Sequence, residues 1–176
     1  GQPIAIKEST ALVFNNQREN NLLIIGQNDK AALGMLSTSL ISLAAQYKQK
    51  DVQIFVVNLS TDDECSAMFD KLSTILPYTQ FFTGKDLSKI LGKISTKVND
   101  NIVNENYHDS IYLVIFGLQK ARELKEDDDF TYSADENKPK VSLLKQFSNI
   151  LKEGPDIGIH TLVWCDSYSS LKNKIG

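Results

Sequence analysis

The sequence predicts an α/β fold, in which helices flank a mostly parallel sheet on both faces as a three-layer sandwich. The strongest apolar runs are continuous rather than alternating, a pattern typical of strands buried on both faces. Segments with apolar residues at helical spacing lie between these runs, as the crossover connections of parallel strands require. A chain of 176 residues can bury one sizeable core. We therefore predict a single doubly wound domain spanning residues 1–176.

The predicted strands begin close to the N-terminus. "PIAIKESTALVF", residues 3–14, alternates well enough to form a short hairpin, with the polar "KEST" between its two strands. The strands of the main sheet follow at five apolar runs: "NLLII" (21–25), "VQIFVVNL" (52–59), "YTQFF" (78–82), "SIYLVIF" (110–116) and "GIHTLVWC" (158–165).

Four helices are predicted between these strands, at residues 30–47, 63–75, 85–103 and 141–153. Gly154 and Pro155 end the last of them, and the final "SSLKNKIG" can start another helix or a turn. Residues 123–140 are acidic and lack periodicity, so we expect them to form a long mobile loop. Because the sequence begins and ends abruptly, we expect a fragment of a longer, multi-domain protein.

Composition and charge narrow the possible functions. With 41% apolar residues, 23% charged residues and a net charge of −3, the chain has no overall attraction to nucleic acids or anionic membranes. Cys65 and Cys165 lack the spacing of metal ligands, which argues against a zinc site and a disulfide framework. No segment has the roughly 20 apolar residues that a membrane helix needs. We expect a cytoplasmic chain, whose parent protein could be membrane-associated.

The segment "NLLIIGQNDKAALGMLSTSL", residues 21–40, has the layout of a phosphate-binding loop, with a strand, a glycine and then a helix. In the pattern G-x-x-x-x-G-K-[ST], glycines let backbone N–H groups converge on the phosphates, the lysine neutralises charge and the hydroxyl binds Mg²⁺. Aligned from Gly26, the second glycine falls on Ala31, the lysine on Ala32 and the hydroxyl on Leu33. The cationic and metal-binding groups are therefore missing.

The candidate nucleotide-binding segment comprises Gly26, Gln27, Asn28, Asp29, Lys30, Ala31, Ala32 and Leu33. Asn28 and Asp29 are both good helix N-caps, and a carboxylate in that position would repel a phosphate. The helix dipole alone contributes about 0.3–1 kcal/mol to an exposed anion, which is too little for a triphosphate. We therefore predict that Gly26 makes the turn, that Asp29 caps the helix and that no nucleotide binds.

Several segments resemble, in sequence and in order along the chain, the motifs of a known protein family. "NNLLIIGQ" resembles its Walker A strand, "MLSTSLISLAAQYKQKDVQIFVVNLS" the next helix and strand, "SIYLVIFGLQKARELK" its Walker B strand, and "LLKQFSNILKEGPDIGIHTLVWCDSYSSL" the elements leading to its sensor segment. These motifs resemble the motor domain of the FtsK/SpoIIIE family, the RecA-like P-loop DNA translocases, whose relatives include the ATPases of type VII secretion. The resemblance implies a RecA-like P-loop fold, ATP with Mg²⁺ as cofactor, and translocation of DNA.

The sequence departs from this family where the chemistry is concentrated. The acidic pair that ends the Walker B strand is replaced by Phe116 and Gly117, and the sensor segment becomes "CDSY", residues 165–168. Phosphoryl transfer needs positioned cations and a metal to offset charge in the transition state, so their joint loss argues against hydrolysis. We expect no catalytic residue, no metal ligand and no bound cofactor, as in the degenerate ATPase modules known among type VII secretion ATPases.

Two functions follow from the resemblance and its departures. The first is an inactive ATPase-like domain that serves as a structural, regulatory or partner-binding module of a larger translocase. Its partners would be neighbouring ATPase domains or a protein substrate. The assembly could be a ring oligomer, and DNA would be contacted only through the parent protein. The alternative is an ATP-binding DNA translocase or segregation ATPase whose divergent loop binds the nucleotide through Lys30 or a residue of a neighbouring subunit, and which would also need a ligand for Mg²⁺.

Other charged and nucleophilic groups have simpler interpretations. One predicted helix carries a stripe of lysines, Lys85, Lys89, Lys93 and Lys97. The stripe lies opposite the apolar face, so we expect a solvated surface rather than a contact with an acidic partner or a phosphate backbone. "EDDD", residues 126–129, lacks an EF-hand spacing and is expected to be a solvated loop. His160 and Cys165 are five apart on one strand, hence on opposite faces, and cannot form a nucleophile pair.

Aromatic residues at the former site suggest what has replaced the chemistry. We hypothesise that apolar side chains fill the old nucleotide cleft and make it a rigid docking surface. The residues concerned are Phe116, Gly117, Trp164 and Tyr168.

Overall fold

The computed structural model describes residues 11–76, 78–104, 110–124 and 142–175, without the side chains of residues 101–104 and 175. Its sheet has five strands: β1 (Leu22–Ile25), β2 (Val52–Asn58), β3 (Thr79–Thr83), β4 (Ser110–Phe116) and β5 (Ile159–Cys165). Every pairing is parallel, in the order β1-β5-β4-β2-β3. The predicted α/β class with a parallel sheet is therefore confirmed.

In the described ranges, five helices connect and follow the strands: α1 (Asp29–Gln46), α2 (Asp63–Ile75), α3 (Leu87–Asn104), α4 (Leu143–Glu153) and α5 (Tyr168–Ile175). Short 3₁₀ turns occur at Gly84–Asp86, Leu118–Lys120 and Gly154–Ile157. The four predicted helices are confirmed to within a few residues, and the segment after β5 forms α5. None of the helices in the described ranges is long and apolar enough to span a membrane.

The sheet has an apolar layer on each face. Apolar side chains of α1 and α2 pack on one face of the sheet, called here the α1–α2 face. Those of α3 and α4 pack on the other, the α3–α4 face. Because successive side chains of a strand point to opposite faces, β4 sends Tyr112, Val114 and Phe116 to the first layer and Leu113 and Ile115 to the second. This two-sided burial explains the continuous apolar runs in the sequence.

Two sequence expectations fall largely outside the described residues. Of the hairpin predicted over residues 3–14, only 11–14 are described, and these contain no strand. Phe14 instead packs its ring against Tyr112, with the centroids 5.4 Å apart. Of the acidic loop predicted over residues 123–140, only 123 and 124 are described.

Glycines 34 and 154 occupy opposite steric environments, which gives a test of the packing. A Cβ added to Gly34, on the exposed side of α1, would meet nothing within 4 Å. A Cβ added to Gly154 would lie 2.9 Å from the Ile159 carbonyl oxygen, a backbone atom that cannot move aside cheaply. We expect Gly34→Ala to stabilise the protein by about 1 kcal/mol, because alanine is the better helix former. Gly154→Ala should destabilise it by about 1–3 kcal/mol through overpacking. Urea denaturation of both variants measures the two free energies of unfolding, and equal signs would contradict the described packing.

His160 gives the fold a dependence on pH. The residue is 2% exposed, and its Nδ1 lies 2.8 Å from the carbonyl oxygen of Asn20. A carbonyl oxygen only accepts, so Nδ1 carries the proton of this hydrogen bond. Burial lowers the pKa of His160, and the bond to Asn20 opposes that shift only in part. The folded state therefore binds fewer protons at this residue than the unfolded state does.

We expect the free energy of unfolding to fall as the pH drops below about 6.5, the ordinary pKa of an unfolded histidine. A His160→Asn variant keeps a neutral donor near the position of Nδ1 and should lose this part of the pH dependence. Urea denaturation of both proteins between pH 5 and 8 gives the two slopes. Parallel slopes would show that His160 is not the group responsible, whatever the absolute stability of the variant.

Candidate functional site

The candidate nucleotide-binding segment, residues 26–33, leaves β1 at the carboxyl edge of the sheet and forms the first turn of α1. Asn28 is the N-cap, because its backbone is extended and its side-chain oxygen accepts a hydrogen bond from the N–H of Ala31 at 2.9 Å. Asp29 is already helical, and its carboxylate accepts the N–H of Lys30 at 2.8 Å. The helix caps itself as predicted, but the prediction that Asp29 is the N-cap is wrong.

These two side chains use backbone donors that a phosphate would need. Phosphate-binding loops work through free N–H groups at a helix N-terminus. Here the N–H groups of Lys30 and Ala31 bind side-chain oxygens, and that of Ala32 binds the Asn28 carbonyl oxygen at 3.1 Å. The Asp29 carboxylate adds a negative charge at the same end of the helix. The first turn of α1 is therefore poorly suited to an anion.

Gly26 does not have the conformational role expected of it. Among the described glycines, only Gly117 and Gly158 have a positive φ, and a Cβ added to Gly26 would meet nothing within 4 Å. Gly26 lies in the turn between β1 and α1, but the turn does not require a glycine at this position. Its backbone is used instead: its N–H donates to the Cys165 carbonyl at 3.1 Å, and its carbonyl accepts from Nε1 of Trp164 at 2.9 Å.

Lys30 is paired with a carboxylate of the next helix. Its Nζ lies 2.8 Å from the Glu64 carboxylate in the first turn of α2, and both side chains are 70% exposed. The hydrogen bond to Glu64 raises the pKa of Lys30. Ala32 and Leu33, at the lysine and hydroxyl positions of the phosphate-binding pattern, are buried against the sheet. The pattern's chemical positions have thus become part of the core.

Aromatic side chains occupy the α1–α2 face beside the segment. Phe116 ends β4 with none of its surface exposed, and its ring stacks on that of Trp164 with the centroids 4.4 Å apart and the planes at 28°. Phe69 of α2 meets Phe116 edge-on at 5.4 Å. Trp164 is 4% exposed and donates its indole N–H to Gly26. We call Phe69, Phe116 and Trp164 the aromatic cluster.

Two other residues of the filled-cleft hypothesis lie outside this cluster. Gly117 has a left-handed backbone with φ +88°, and it turns the chain from β4 into the 3₁₀ turn that follows. Its N–H donates to the Trp164 carbonyl at 3.2 Å. Tyr168 begins α5 and is 69% exposed, so the expectation that it helps to fill the cleft is wrong.

The segment in the sensor position has a structural role in the described chain. The Ser167 hydroxyl accepts the N–H of Ser170 at 3.1 Å, as a side chain does at the start of a helix. The N–H of Asp166 donates to the side-chain oxygen of Gln119 at 3.3 Å, which ties the end of β5 to the turn after β4. Burial raises the pKa of the Cys165 thiol, so it is a poor nucleophile.

The lysine stripe is divided among different environments. Lys85, Lys89 and Lys93 are exposed as predicted, although the Lys93 ammonium also lies 5.0 Å from the centre of the Phe55 ring. Lys97 is half-buried and donates to the side-chain oxygen of Gln53 at 3.0 Å, which a fully solvated stripe would not do. The stripe therefore does not act as one surface.

The other residues considered for catalysis or metal binding are the pair His160 and Cys165 and the acidic residues 126–129. His160 packs in the α1–α2 layer against Tyr112, and Cys165 belongs to the α3–α4 layer, so the two lie on opposite faces as predicted. "EDDD", residues 126–129, lies outside the described ranges. Within those ranges, no group of three or more histidine, cysteine, aspartate or glutamate side chains is arranged to hold a metal ion.

Comparison with known proteins reveals a shared fold. No family model matches the sequence, and the search of curated proteins also finds no match. Among solved structures, the chain is similar to Thermomonospora curvata EccC (ATPases 2 and 3) in complex with a signal sequence peptide, with a TM-score of 0.62 and 15% identity. It is also similar to the cytoplasmic domain of the type VII secretion ATPase EccC from the same organism, with a TM-score of 0.63 and 15% identity.

The similarity covers nearly all of this chain and a small part of the others. It extends over 91% of the chain in both comparisons, but over only 30% and 19% of the two EccC chains. At this level of identity the comparison shows the fold and leaves the site to be judged from its own residues. The chain shares the α/β fold of part of these EccC chains.

The aromatic cluster should be essential for stability, whereas its exposed neighbour should not. Removing the fully buried Phe116 ring leaves a cavity against Trp164 and Phe69, so we expect Phe116→Ala to cost about 3–5 kcal/mol. The control is Tyr168→Ala, which removes an exposed aromatic ring four residues after Trp164. It should change the free energy of unfolding by less than about 0.5 kcal/mol. Urea denaturation followed by the fluorescence of Trp164, the sole tryptophan, measures both. A small effect at Phe116 would contradict the described packing.

Proposed function

We propose that this chain is an ATPase-like module that no longer hydrolyses ATP and serves as a structural or partner-binding part of a larger assembly. The observation that carries this proposal is the aromatic cluster, in which Trp164 stacks on Phe116 and donates its indole N–H to Gly26. An apolar ring stands where the resemblance places a carboxylate for Mg²⁺. A phenylalanine ring cannot bind Mg²⁺, so residue 116 cannot help to offset the charge of a transferring phosphoryl group.

The changes in the loop support the same proposal. The lysine and hydroxyl positions are the core residues Ala32 and Leu33, and the nearby Lys30 is paired with Glu64. Restoring the missing groups at positions 32 and 33 would place polar atoms in the α1–α2 layer, where they would lack partners. The loss of chemistry is thus built into the packing of α1.

A role in a larger assembly has separate support. The similar EccC chains are much longer than this one, and one of them contains two ATPases and a bound signal sequence peptide. Beyond Asp29 and Lys30 in its first turn, helix α1 has an uncharged outer surface, since residues 31–47 include no charged side chain, and Met35 and Ile41 are each nearly half exposed. Exposed apolar surface of this kind is typical of contacts between domains. We infer that a neighbouring domain of an FtsK/SpoIIIE-like assembly is the partner.

A cytoplasmic location is part of the proposal. Cys65 and Cys165 are both buried and form no disulfide, as expected of a chain that folds in a reducing compartment. Burial raises the pKa of Cys65 to about 11, which keeps this thiol protonated and unreactive at neutral pH.

Nucleotide binding decides between this proposal and an active ATPase. We expect that titration of the purified chain with a fluorescent ATP analogue and Mg²⁺ gives no saturable signal up to about millimolar concentration, the weak end of ordinary substrate affinities. Energy transfer from Trp164, the sole tryptophan, would report an analogue bound near Gly26. Saturable binding in the micromolar range that Lys30→Ala abolishes and Lys48→Ala preserves would contradict the proposal and establish the ATP-binding alternative.

A further inference from the structure

A crevice opens at the carboxyl edge of the sheet, outside the ends of β2, β3 and β4. Its volume is about 470 Å³, within the range of roughly 300–1,000 Å³ that is usual for small-molecule sites. The crevice is lined by the loop after β2, the 3₁₀ turn after β3 and the chain after β4. It shares no lining residue with segment 26–33 or with the aromatic cluster.

The topology explains why a crevice forms at this place. The chain leaves β2 towards α2, on the α1–α2 face, but leaves its two neighbours β3 and β4 towards the α3–α4 face. The loops after these strands therefore diverge and leave a gap between them. Doubly wound sheets bind ligands at such switch points, outside the carboxyl ends of the strands.

The floor of the crevice is apolar, and its wall is held in a fixed conformation. Leu59, Leu87 and Ala121 are at least nine-tenths buried beneath it. The Asn58 side chain accepts the N–H of Ser60 at 2.9 Å, and the Ser60 hydroxyl accepts the N–H of Asp62 at 3.1 Å. An ordered wall lowers the conformational entropy that a ligand would have to remove on binding.

The opening of the crevice is cationic, although the whole chain carries a net charge of −3. Lys85, Lys120 and Arg122 line it, together with one acidic residue, Glu123. In the described part of the chain, no carboxylate lies within 4 Å of the side-chain nitrogens of these three residues, since the ion pairs found there involve only Arg18 and Lys30.

Two carboxylates that lie close in sequence are already engaged. Asp62 accepts the N–H of Cys65 at 2.9 Å, as the N-cap of α2. Asp86 accepts the N–H and the hydroxyl of Thr83 at 3.2 and 3.0 Å. None of the three cations at the opening therefore forms an ion pair among the described residues, so their side-chain nitrogens can contact the anionic group of a ligand.

We propose that this crevice binds a small organic phosphate, whose anionic group lies among Lys85, Lys120 and Arg122 and whose apolar part rests on the floor. Several charged donors match a dianion better than a monoanionic carboxylate, because each added charge–charge contact strengthens the complex. The apolar floor distinguishes an organic phosphate from inorganic phosphate. The proposed phosphate site shares no residue with segment 26–33, so it does not depend on whether that segment has lost ATP binding.

Calorimetric titration of the full 176-residue chain at about 0.15 M ionic strength, where charges beyond roughly 8 Å are largely screened, tests the site. Phenyl phosphate is the probe, since it combines a dianion with an apolar ring, and inorganic phosphate and benzoate are the comparison ligands. We expect saturable binding of phenyl phosphate that is tighter than that of either comparison ligand. In the triple variant K85Q/K120Q/R122Q, the affinity should fall by about tenfold or more, because charged hydrogen bonds are lost.

The matched control is K48Q/K50Q/K71Q, which removes the same charge from exposed lysines that do not line the crevice. It should leave the affinity for phenyl phosphate within a factor of about two, as expected for charges screened by distance and salt. Circular dichroism checks that both variants fold, which the exposure of all six side chains favours.

Three results would overturn the proposal. The first is the absence of saturable phenyl phosphate binding to the unmodified chain. The second is equal weakening in the crevice variant and the control variant, which would show only a general effect of charge. The third is binding that Lys30→Ala removes and the crevice variant retains. That third result would place the anion at segment 26–33 and would also contradict the proposed function, whereas the first two leave the proposed function intact.

Discussion

The parallel pairing of β4 with β2 on one side and β5 on the other determines where both candidate sites lie. Its last rung aligns Asn58, Phe116 and Trp164 across three neighbouring strands. At one end of this row, Trp164 reaches the Gly26 carbonyl and closes the space beside the degenerate loop. At the other end, Asn58 fixes the loop that forms one wall of the crevice. A shift of one residue in register would exchange the two faces and disrupt both places at once.

The two ends of this row have opposite chemical character. On the β1–β5 side, the carboxyl edge carries a buried aromatic cluster, a self-capped helix and the carboxylates of Asp29 and Asp166. On the β2–β4 side, it is open, with an apolar floor and three cations at the rim. A parallel sheet presents several positions of this kind along one edge, because every strand ends there. In this chain, the position most suited to an anion is separate from the one that the phosphate-loop layout marks.

The aromatic cluster also explains how the proposed loss of chemistry is compatible with a stable fold. A carboxylate in place of the fully buried Phe116 would need a metal or a cation to offset its desolvation. Phenylalanine removes that requirement and adds a stacked contact with Trp164. The same exchange occurs in α1, where buried Ala32 and Leu33 join the layer beneath. Positions 32, 33 and 116 can hold either polar catalytic groups or buried apolar side chains, and in this chain all three are buried and apolar.

The sequence by itself determined the α/β class, the helices and the five strands of the main sheet to within a few residues, the absence of the lysine and hydroxyl from the phosphate-loop pattern, and the absence of an acidic pair at residues 116 and 117. These are properties of local periodicity and residue identity, which need no knowledge of distant contacts. The polar segments after β2 and β4, "NLSTDD" and "QKARE", are visible in the sequence. The sequence alone does not show that these two segments meet at one crevice. Only the tertiary structure decided that Trp164 bonds to Gly26 and that Lys85 lies with Lys120 and Arg122 apart from its lysine stripe. The reason is physical, since strand order and the direction of each crossover bring together residues far apart in the chain, and local spacing contains no record of either.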